Sequence, residues 1–279
     1  MDPWTITLIP RPRYDRLTPM DTSIDTSSDA PLDAPLDTAQ FIRILDREGR
    51  LLADAAERAG TDAKVPTCPQ WQVRDLVRHT GAVHRWATGY VAEGHPSRRP
   101  LGDAPALDGA ELLAWFREGH AHLVRTLASA APDLECWHFL PAPSPLAFWA
   151  RRQAHETSVH RFDAEAARGG TPSDLDPRFA ADGVDELLRG FHARPRSRVR
   201  SEEPRVLRVR ATDVDDDAVW TVRLTQEPPA AERGRTGDAE CEISGPAAQL
   251  YLSLWNRVPF PSVTGDAALA ELWRRSSAV

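Results

Sequence analysis

The sequence predicts an α plus α+β fold, in which a four-helix bundle is followed by a small α+β domain. Two patterns along the 279 residues predict it. Between residues 38 and 168, apolar side chains recur with the 3.6-residue period of amphipathic helices, in four segments separated by loops. Past Pro195 the period falls to two, which is typical of strands with one buried face.

The predicted helices have recognisable start and stop signals. Asp37 or Thr38 can cap the first helix, and Gly60 stands where that helix would end. Ser144 followed by Pro145 begins the fourth, because a hydroxyl caps the free N–H groups and proline fits the first helical position. The helices of the first part are expected at 38–60, 73–93, 108–131, 145–168 and, as a shorter fifth, 177–191.

The last third of the chain mixes strands and helices. Three period-two segments predict strands, two polar segments predict the turns between them, and two further segments predict helices. The strands are expected at 206–211, 220–224 and 239–243, the turns at 213–217 and 228–237, and the helices from 244 and 265 onward.

These elements divide the chain into three expected parts. Residues 1–36 are polar and repetitive, and they carry too little apolar surface to offset the entropy lost on ordering. They are therefore predicted to form a disordered or loosely docked extension. Residues 37–195 form the predicted bundle, and residues 196–279 form the predicted α+β domain.

Composition excludes several function classes. The net charge is −7, from 34 basic and 41 acidic residues, which argues against a nucleic-acid partner because phosphate contacts need a concentrated basic surface. No segment approaches the ~18 apolar residues of a membrane span, and the N-terminus lacks a secretory pattern. The three cysteines are far apart, so neither a disulfide framework nor a thiolate zinc site is indicated. We expect a cytoplasmic protein with no membrane partner.

The chemistry is densest on the fourth helix. His155 and His160 are five residues apart, about 140° around a helix, so they cannot chelate one ion from one face. Glu156 and His160 are four apart and about 40° apart, so a carboxylate oxygen and an imidazole nitrogen can reach the same cation. Asp163 lies three residues further on the same side and could orient the His160 ring.

A metal site needs a third ligand from a facing helix. On the second helix, His79 and His84 are five apart and face different ways, so at most one of them joins. Three such ligands leave positions open for a water or a thiolate, and they suit zinc, with nickel, iron and manganese as alternatives. The contrary interpretation is that Glu156 and His160 form an ordinary exposed hydrogen-bonded pair.

Other polar residues are assigned to structural positions. His120 lies on an apolar stripe and is expected to be a hydrogen-bonded core histidine, whereas His192 is expected at the surface or in a loop. Arg151 and Arg152 are expected on a solvated helix face.

Six motifs in order along the chain resemble the mycothiol-dependent maleylpyruvate isomerase family. The resemblance covers residues 38–276 and implies a DinB-like four-helix bundle followed by a small α+β domain of sterol-carrier-like fold. The motifs are CPQWQVRDLVRH at 68–79, FWARRQAHETSVHRFDAE at 148–165, DGVDELL at 182–188, ISGPAA at 243–248, LYLSLWNR at 250–257 and TGDAAL at 264–269.

The resemblance also implies an activity and its residues. A divalent metal, normally zinc, would be held by His79, Glu156 and His160. The metal would activate a low-molecular-weight thiol, mycothiol, for S-transfer to, or cis–trans isomerisation of, an electrophilic small molecule such as maleylpyruvate. Arg257 matches a family arginine that could hold a substrate carboxylate, and the alternative is that it forms a surface salt bridge. Arg152 is a weaker candidate for the same substrate contact.

Two other functions stay open at this point. A metal-dependent hydrolase would use an activated water, with His84 or Asp163 as its base. A non-catalytic protein would bind or sequester a small molecule between the bundle and the second domain.

Overall fold

The computed structural model describes residues 35–214 and 218–277. The predicted extension, residues 1–36, lies outside this part except for its last two residues. The helices are α1 (Thr38–Ala59), α2 (Val73–Glu93), α3 (Gly109–Ser129), α4 (Pro145–Arg168), α5 (Pro177–Asp185), α6 (Ala247–Leu254) and α7 (Ala267–Ser276). The strands are β1 (Arg205–Ala211), β2 (Val219–Leu224), β3 (Ala230–Arg233), β4 (Cys241–Gly245) and β5 (Ser262–Gly265).

Helices α1 to α4 form the bundle, with α1 packed along α4 and α2 along α3. The predicted caps are present, since Asp37 accepts a hydrogen bond from the Gln40 N–H and Ser144 accepts one from the Ala147 N–H. Helix α4 is enclosed on all sides, and nearly every residue from Phe148 to Glu165 is buried. Most of its polar residues therefore pair with one another or with polar groups on the surrounding elements, because a buried polar group needs a partner.

The predicted fifth helix has two parts. Helix α5 ends at Asp185, and the chain continues in a π-helical turn, Glu186–Phe191. Helix α5 packs against α6 from the second half of the chain. The π-helical turn has Glu186, Leu187, Leu188 and Phe191 buried, so it faces the interior.

The second part is a five-stranded sheet with strand order β3-β2-β1-β4-β5. Strands β1 and β4 are parallel, and the other neighbours are antiparallel. The three predicted strands are present as β1, β2 and β4, but the prediction of a continuous turn at 228–237 is wrong because β3 lies within it. The sequence pattern likewise does not predict strand β5. The helix expected from residue 244 starts instead at Ala247, as α6, because Ser244 and Gly245 still pair with β1.

One apolar core runs from the bundle into the sheet and joins Trp149, Tyr251 and Trp220. At the edge of this core, the Trp220 indole donates to Asp185 at the end of α5 over 3.0 Å. Among the described residues, every helix is too short or too polar to span a lipid bilayer. The fold class predicted from the sequence, a helical bundle followed by a small α+β unit, is confirmed.

Candidate metal centre

Three potential metal ligands converge where α2 faces α4. His79 comes from α2, while Glu156 and His160 lie one turn apart on α4. Glu156 Oε1 is 3.2 Å from His79 Nε2 and 3.3 Å from His160 Nε2. One ligand atom from each residue lies within 4.8 Å of the others, which is close enough for a single ion to reach all three.

Asp163 fixes the orientation of the His160 ring. His160 Nδ1 donates to Asp163 Oδ2 over 2.9 Å, which leaves Nε2 directed at Glu156. Asp163 also accepts from the Thr67 hydroxyl and from the Cys68 thiol, with 3.6 Å between sulfur and oxygen. The carboxylate–imidazole arrangement is one that supports many metal-bound histidines.

Arg257, which follows α6, completes this arrangement from the second half of the chain. Its Nε donates to Asp163 Oδ1 and its Nη2 to Asp163 Oδ2, each over 3.0 Å. Its Nη1 donates to the Trp255 carbonyl over 2.8 Å. Both Asp163 and Arg257 are almost fully buried, so this is a charge pair shielded from water.

The buried charges shift one another's protonation. Burial acts to raise the pKa of Glu156, but the charge of His160 and its hydrogen bonds to His160 and His79 outweigh burial and hold the pKa below its usual range. Burial acts to lower the pKa of His160, yet Glu156 and Asp163 raise it to about 9. Burial lowers the pKa of His79. The cluster therefore combines an ionised carboxylate with two imidazoles whose pKa values are shifted in opposite directions, that of His79 downward and that of His160 upward.

A second arginine lies on the other side of Glu156. Arg152 is fully buried, so the prediction that it lies on a solvated helix face is wrong. Its Nη1 pairs with Glu186, and its Nη2 lies 3.4 Å from Glu156 Oε2. Arg151, beside it, is mostly buried and binds Asp182 over 2.8 Å. The solvated-face assignment fails for both arginines because α5 and the π-helical turn cover this side of α4.

An aromatic residue flanks the two histidines. The Trp71 ring lies 5.1 Å from the ring of His79 and 5.9 Å from that of His160, measured between centroids. It precedes α2, in a loop whose ends are held by backbone hydrogen bonds from Val65 to Trp71 and from Val73 to Ala63. Trp71 is half-buried and forms a wall beside the ligand cluster.

The structure brings the predicted site residues into one connected network. Sequence spacing gives no reason to include Thr67 or Glu186, because both act on partners far along the chain, although Glu186 lies inside the third motif that resembles the family. Trp71 could have been selected, since it lies inside the first motif that resembles the family. The predicted residues in the network are His79, Arg152, Glu156, His160, Asp163 and Arg257.

The remaining histidines lie elsewhere. His84 points away from the cluster, with its Nε2 2.9 Å from the Thr157 hydroxyl and its ring 5.6 Å from that of His120. His120 is a core histidine, as expected, and contacts the Leu45 carbonyl over 3.0 Å. His192 lies in a turn, as one of its two expected placements has it, but it is buried against Trp273 and not exposed at the surface.

The donor set suits a divalent cation. It offers one carboxylate oxygen and two imidazole nitrogens, and Asp163 accepts from His160 Nδ1, so that Nε2 is the nitrogen that faces the cluster. A three-residue set of this kind leaves coordination positions for an exogenous ligand. The residues present therefore fit the metal that the sequence motifs imply.

Comparisons with known proteins identify a family for both parts of the chain. The mycothiol maleylpyruvate isomerase N-terminal domain model matches residues 42–165, and the MDMPI C-terminal domain model matches residues 178–272. Together the two matches span most of the chain. No curated protein matches the sequence at a significant level.

Two solved structures are similar to this one. A crystal structure of the mycothiol-dependent maleylpyruvate isomerase gives a TM-score of 0.56, and that of a histidine-to-alanine mutant gives 0.58. Each is 13% identical in sequence and covers 83% of this chain and 94% of its own. At this identity the likeness establishes a shared fold. With both domain models matched in order, the chain belongs to the mycothiol-dependent maleylpyruvate isomerase family.

Proposed function

We propose that this protein is a divalent-metal-dependent enzyme that activates a low-molecular-weight thiol, mycothiol, for reaction with an electrophilic small molecule such as maleylpyruvate. The observation that carries the proposal is the convergence of His79, Glu156 and His160 within 4.8 Å. The reaction is either S-transfer or cis–trans isomerisation. Both begin with addition of the thiolate sulfur to one carbon of a conjugated double bond, whose π electron pair moves to the conjugated carbonyl as an enolate. In isomerisation, rotation about the resulting single bond and elimination of the thiolate restore the double bond in the trans form. In S-transfer, protonation of the enolate leaves the thiol conjugate.

His79, Glu156 and His160 would hold the metal, for which zinc suits the ligand types. When bound, a divalent cation lowers the pKa of a thiol that reaches it, so that the thiolate exists at neutral pH. The residues of this chain prepare the site. Asp163 keeps His160 Nε2 directed at the cluster, and Arg257 keeps Asp163 in place.

The reactive sulfur would come from the cosubstrate. Cys68, Cys136 and Cys241 are all free and buried. Burial, reinforced by the charge of Asp163, raises the pKa of the Cys68 thiol to about 12. Burial also raises the pKa of Cys136 and Cys241. Free cysteines and a thiol cosubstrate both suit a reducing compartment, so we place the protein in the cytoplasm.

Arg257 has two proposed roles. Its three nitrogens each donate one hydrogen bond to Asp163 or Trp255, so its main role is to position Asp163. A guanidinium carries five N–H groups, and the two left over on Nη1 and Nη2 could bind a substrate carboxylate. Arg152 already contacts two carboxylates, Glu156 and Glu186, which makes it the weaker candidate for a substrate or cofactor contact.

The test compares metal content and thiol dependence in matched variants. His79→Ala removes one imidazole ligand and Glu156→Gln replaces the charged carboxylate by a neutral amide, whereas His122→Ala removes an exposed histidine of α3. We expect the first two to lose bound metal and thiol-dependent turnover, and His122→Ala to keep both. Elemental analysis measures the metal, and a panel of electrophiles with and without thiol and chelator measures turnover.

Two results would contradict the proposal. Full metal content and turnover in His79→Ala and Glu156→Gln would mean that the ligand assignment is wrong. Turnover of an ester or amide without any added thiol would favour a hydrolase instead.

A further inference from the structure

We propose that Glu186 is a positioning residue for Glu156, acting through Arg152, and that it makes Glu156 present a single oxygen to the metal. This inference rests on the proposed metal function. Glu186 lies in the first position of the π-helical turn, 30 residues beyond Glu156, and is 3% exposed.

The contacts divide the two oxygens of Glu156 between two sides. Oε1 faces the imidazoles, 3.2 Å from His79 Nε2 and 3.3 Å from His160 Nε2. Oε2 faces Arg152 Nη2 over 3.4 Å. Only Oε1 is therefore directed at the ligand cluster.

Arg152 is itself shared between two carboxylates. Its Nη1 makes the closer contact, with Glu186 Oε2, while its contact with Glu156 is long. Because Glu186 holds the guanidinium, Arg152 is drawn away from Glu156 and does not pair with both of its oxygens. A fork-to-fork pair between Arg152 and Glu156 would compete directly with the metal for Oε1.

The position of Arg152 is restrained by packing as well as by charge. Its guanidinium carbon lies 4.9 Å from the centre of the Phe191 ring and 5.8 Å from that of Trp255. Glu186 and Phe191 are the first and last residues of the π-helical turn. This turn, a rare conformation that is frequent at functional sites, thus supplies both a charged and an aromatic contact to Arg152.

The test removes the charge of Glu186 and uses an equally buried acid as the control. Glu165 is 1% exposed and pairs with buried Arg161 over 2.6 Å, but it is turned toward Ser173 and contacts no proposed ligand. Glu186→Gln and Glu165→Gln therefore remove the same charge from similar surroundings. The Kd for Zn²⁺ is measured by competition with a chromophoric chelator, and Co²⁺ replaces Zn²⁺ to give a visible spectrum.

We expect Glu186→Gln to raise the Kd for Zn²⁺ about 10- to 100-fold, the usual effect of losing a group that orients a ligand. The Co²⁺ absorption bands should also shift, because the coordination of the ion changes if Glu156 binds it through both oxygens or no longer binds it. Glu165→Gln should leave both the Kd and the spectrum as in the wild type. Glu186→Asp keeps the charge but shortens the reach, so its Kd should lie between those of the wild type and Glu186→Gln.

Each alternative result has a distinct meaning. A folded Glu186→Gln protein with wild-type Kd and Co²⁺ spectrum would overturn the inference. If Glu186→Gln does not fold, a wild-type Kd in Glu186→Asp would overturn it equally. If the wild-type protein binds neither Zn²⁺ nor Co²⁺, the proposed function itself fails, and the variants are not needed to see it.

Discussion

Arg257 donates two parallel hydrogen bonds to Asp163, from Nε to Oδ1 and from Nη2 to Oδ2, each of 3.0 Å. The pair joins a residue that follows α6 to the middle of the bundle. Asp163 in turn accepts from His160 Nδ1. A change at Arg257 is therefore transmitted to a proposed metal ligand through one intervening side chain.

Replacing Arg257 should weaken both folding and metal binding. Arg257→Gln removes the guanidinium that compensates a fully buried carboxylate, and breaking such a pair costs about 3–5 kcal/mol of unfolding free energy. The Kd for Zn²⁺ should rise as well, because the support of His160 is loosened. Denaturant titration and chelator competition measure the two effects. Arg223→Gln, which removes an ion pair that is about half exposed, is the control and should change little.

A substrate-binding role for Arg257 gives a different result. If its function were only to hold a substrate carboxylate, Arg257→Gln would raise KM for carboxylate substrates and leave the Kd for Zn²⁺ and the stability unchanged.

The cysteines of the native protein should be unreactive. With a pKa of about 12, Cys68 is a thiolate in only about one molecule in ten thousand at pH 8. Iodoacetamide at pH 8 should therefore label the native protein far more slowly than the unfolded protein, as followed by mass spectrometry. Cys68→Ala should keep thiol-dependent turnover. Rapid labelling of native Cys68, or loss of turnover in Cys68→Ala, would show that the chain supplies its own reactive sulfur.

His192 should make the protein sensitive to acid. Burial, with a smaller effect of Arg194, lowers the pKa of His192 to about 3 in the folded state, whereas an unfolded histidine has a pKa of about 6.5. Between these values the unfolded state binds one more proton than the folded state. Burying the neutral His192 ring therefore costs no free energy of unfolding above about pH 6.5. Between about pH 6.5 and 3, the free energy of unfolding falls by about 1.4 kcal/mol for each pH unit.

His192→Gln removes this titration. The difference in unfolding free energy between wild type and variant should shrink as the pH is lowered from 6 to 4, measured by urea titration at each pH. A difference that stays constant over this range would contradict the assignment.

Two glycine-to-alanine changes should have opposite effects on the free energy of unfolding. A Cβ on Gly183 would overlap the Tyr251 ring and lie 2.9 Å from His155 Cε1, where α5 meets α4 and α6. Gly183→Ala should therefore destabilise the protein by about 1–3 kcal/mol. Gly89 lies within α2, and among the described residues no side chain or neighbouring element comes within 4 Å of its Cβ position, so Gly89→Ala should stabilise the protein by about 0.5–1 kcal/mol. Thermal unfolding of both variants checks the pair, and equal effects would mean that α5 does not pack as closely as described.

The helices could be predicted because their signals are local. The predicted second helix, 73–93, has the bounds of α2, and the Ser144 cap with Pro145 marks the start of α4. The strands β3 and β5 could not be predicted in the same way. Each has four residues, lies at an edge of the sheet and is mostly exposed, so neither carries an alternating apolar pattern. Their strand conformation comes from pairing with distant neighbours.

The site was predictable only in part, for a similar reason. Spacing along α4 places Glu156 and His160 on one face, but it leaves His79 and His84 as alternatives for the third ligand, and only the family resemblance selects His79. The burial of Arg152 depends on Glu186, 34 residues away, and on helices that cover α4 from both sides. Because α4 is buried all round, it lacks the polar face by which exposed residues are recognised. Polar residues in such a helix look solvated in the sequence although they are not.

The separation of Asp163 and Arg257 by 94 residues has a consequence for how the protein is made. At a translation rate of about 5–20 residues per second, Arg257 is added roughly 5–20 s after Asp163. During this interval α4 can pack into the nascent bundle while Asp163 still lacks its countercharge. The metal-binding geometry is therefore expected to form late, after the ribosome has passed α6. Truncated chains that end before Arg257 should bind metal weakly, and they should be degraded by the cell's quality-control proteases.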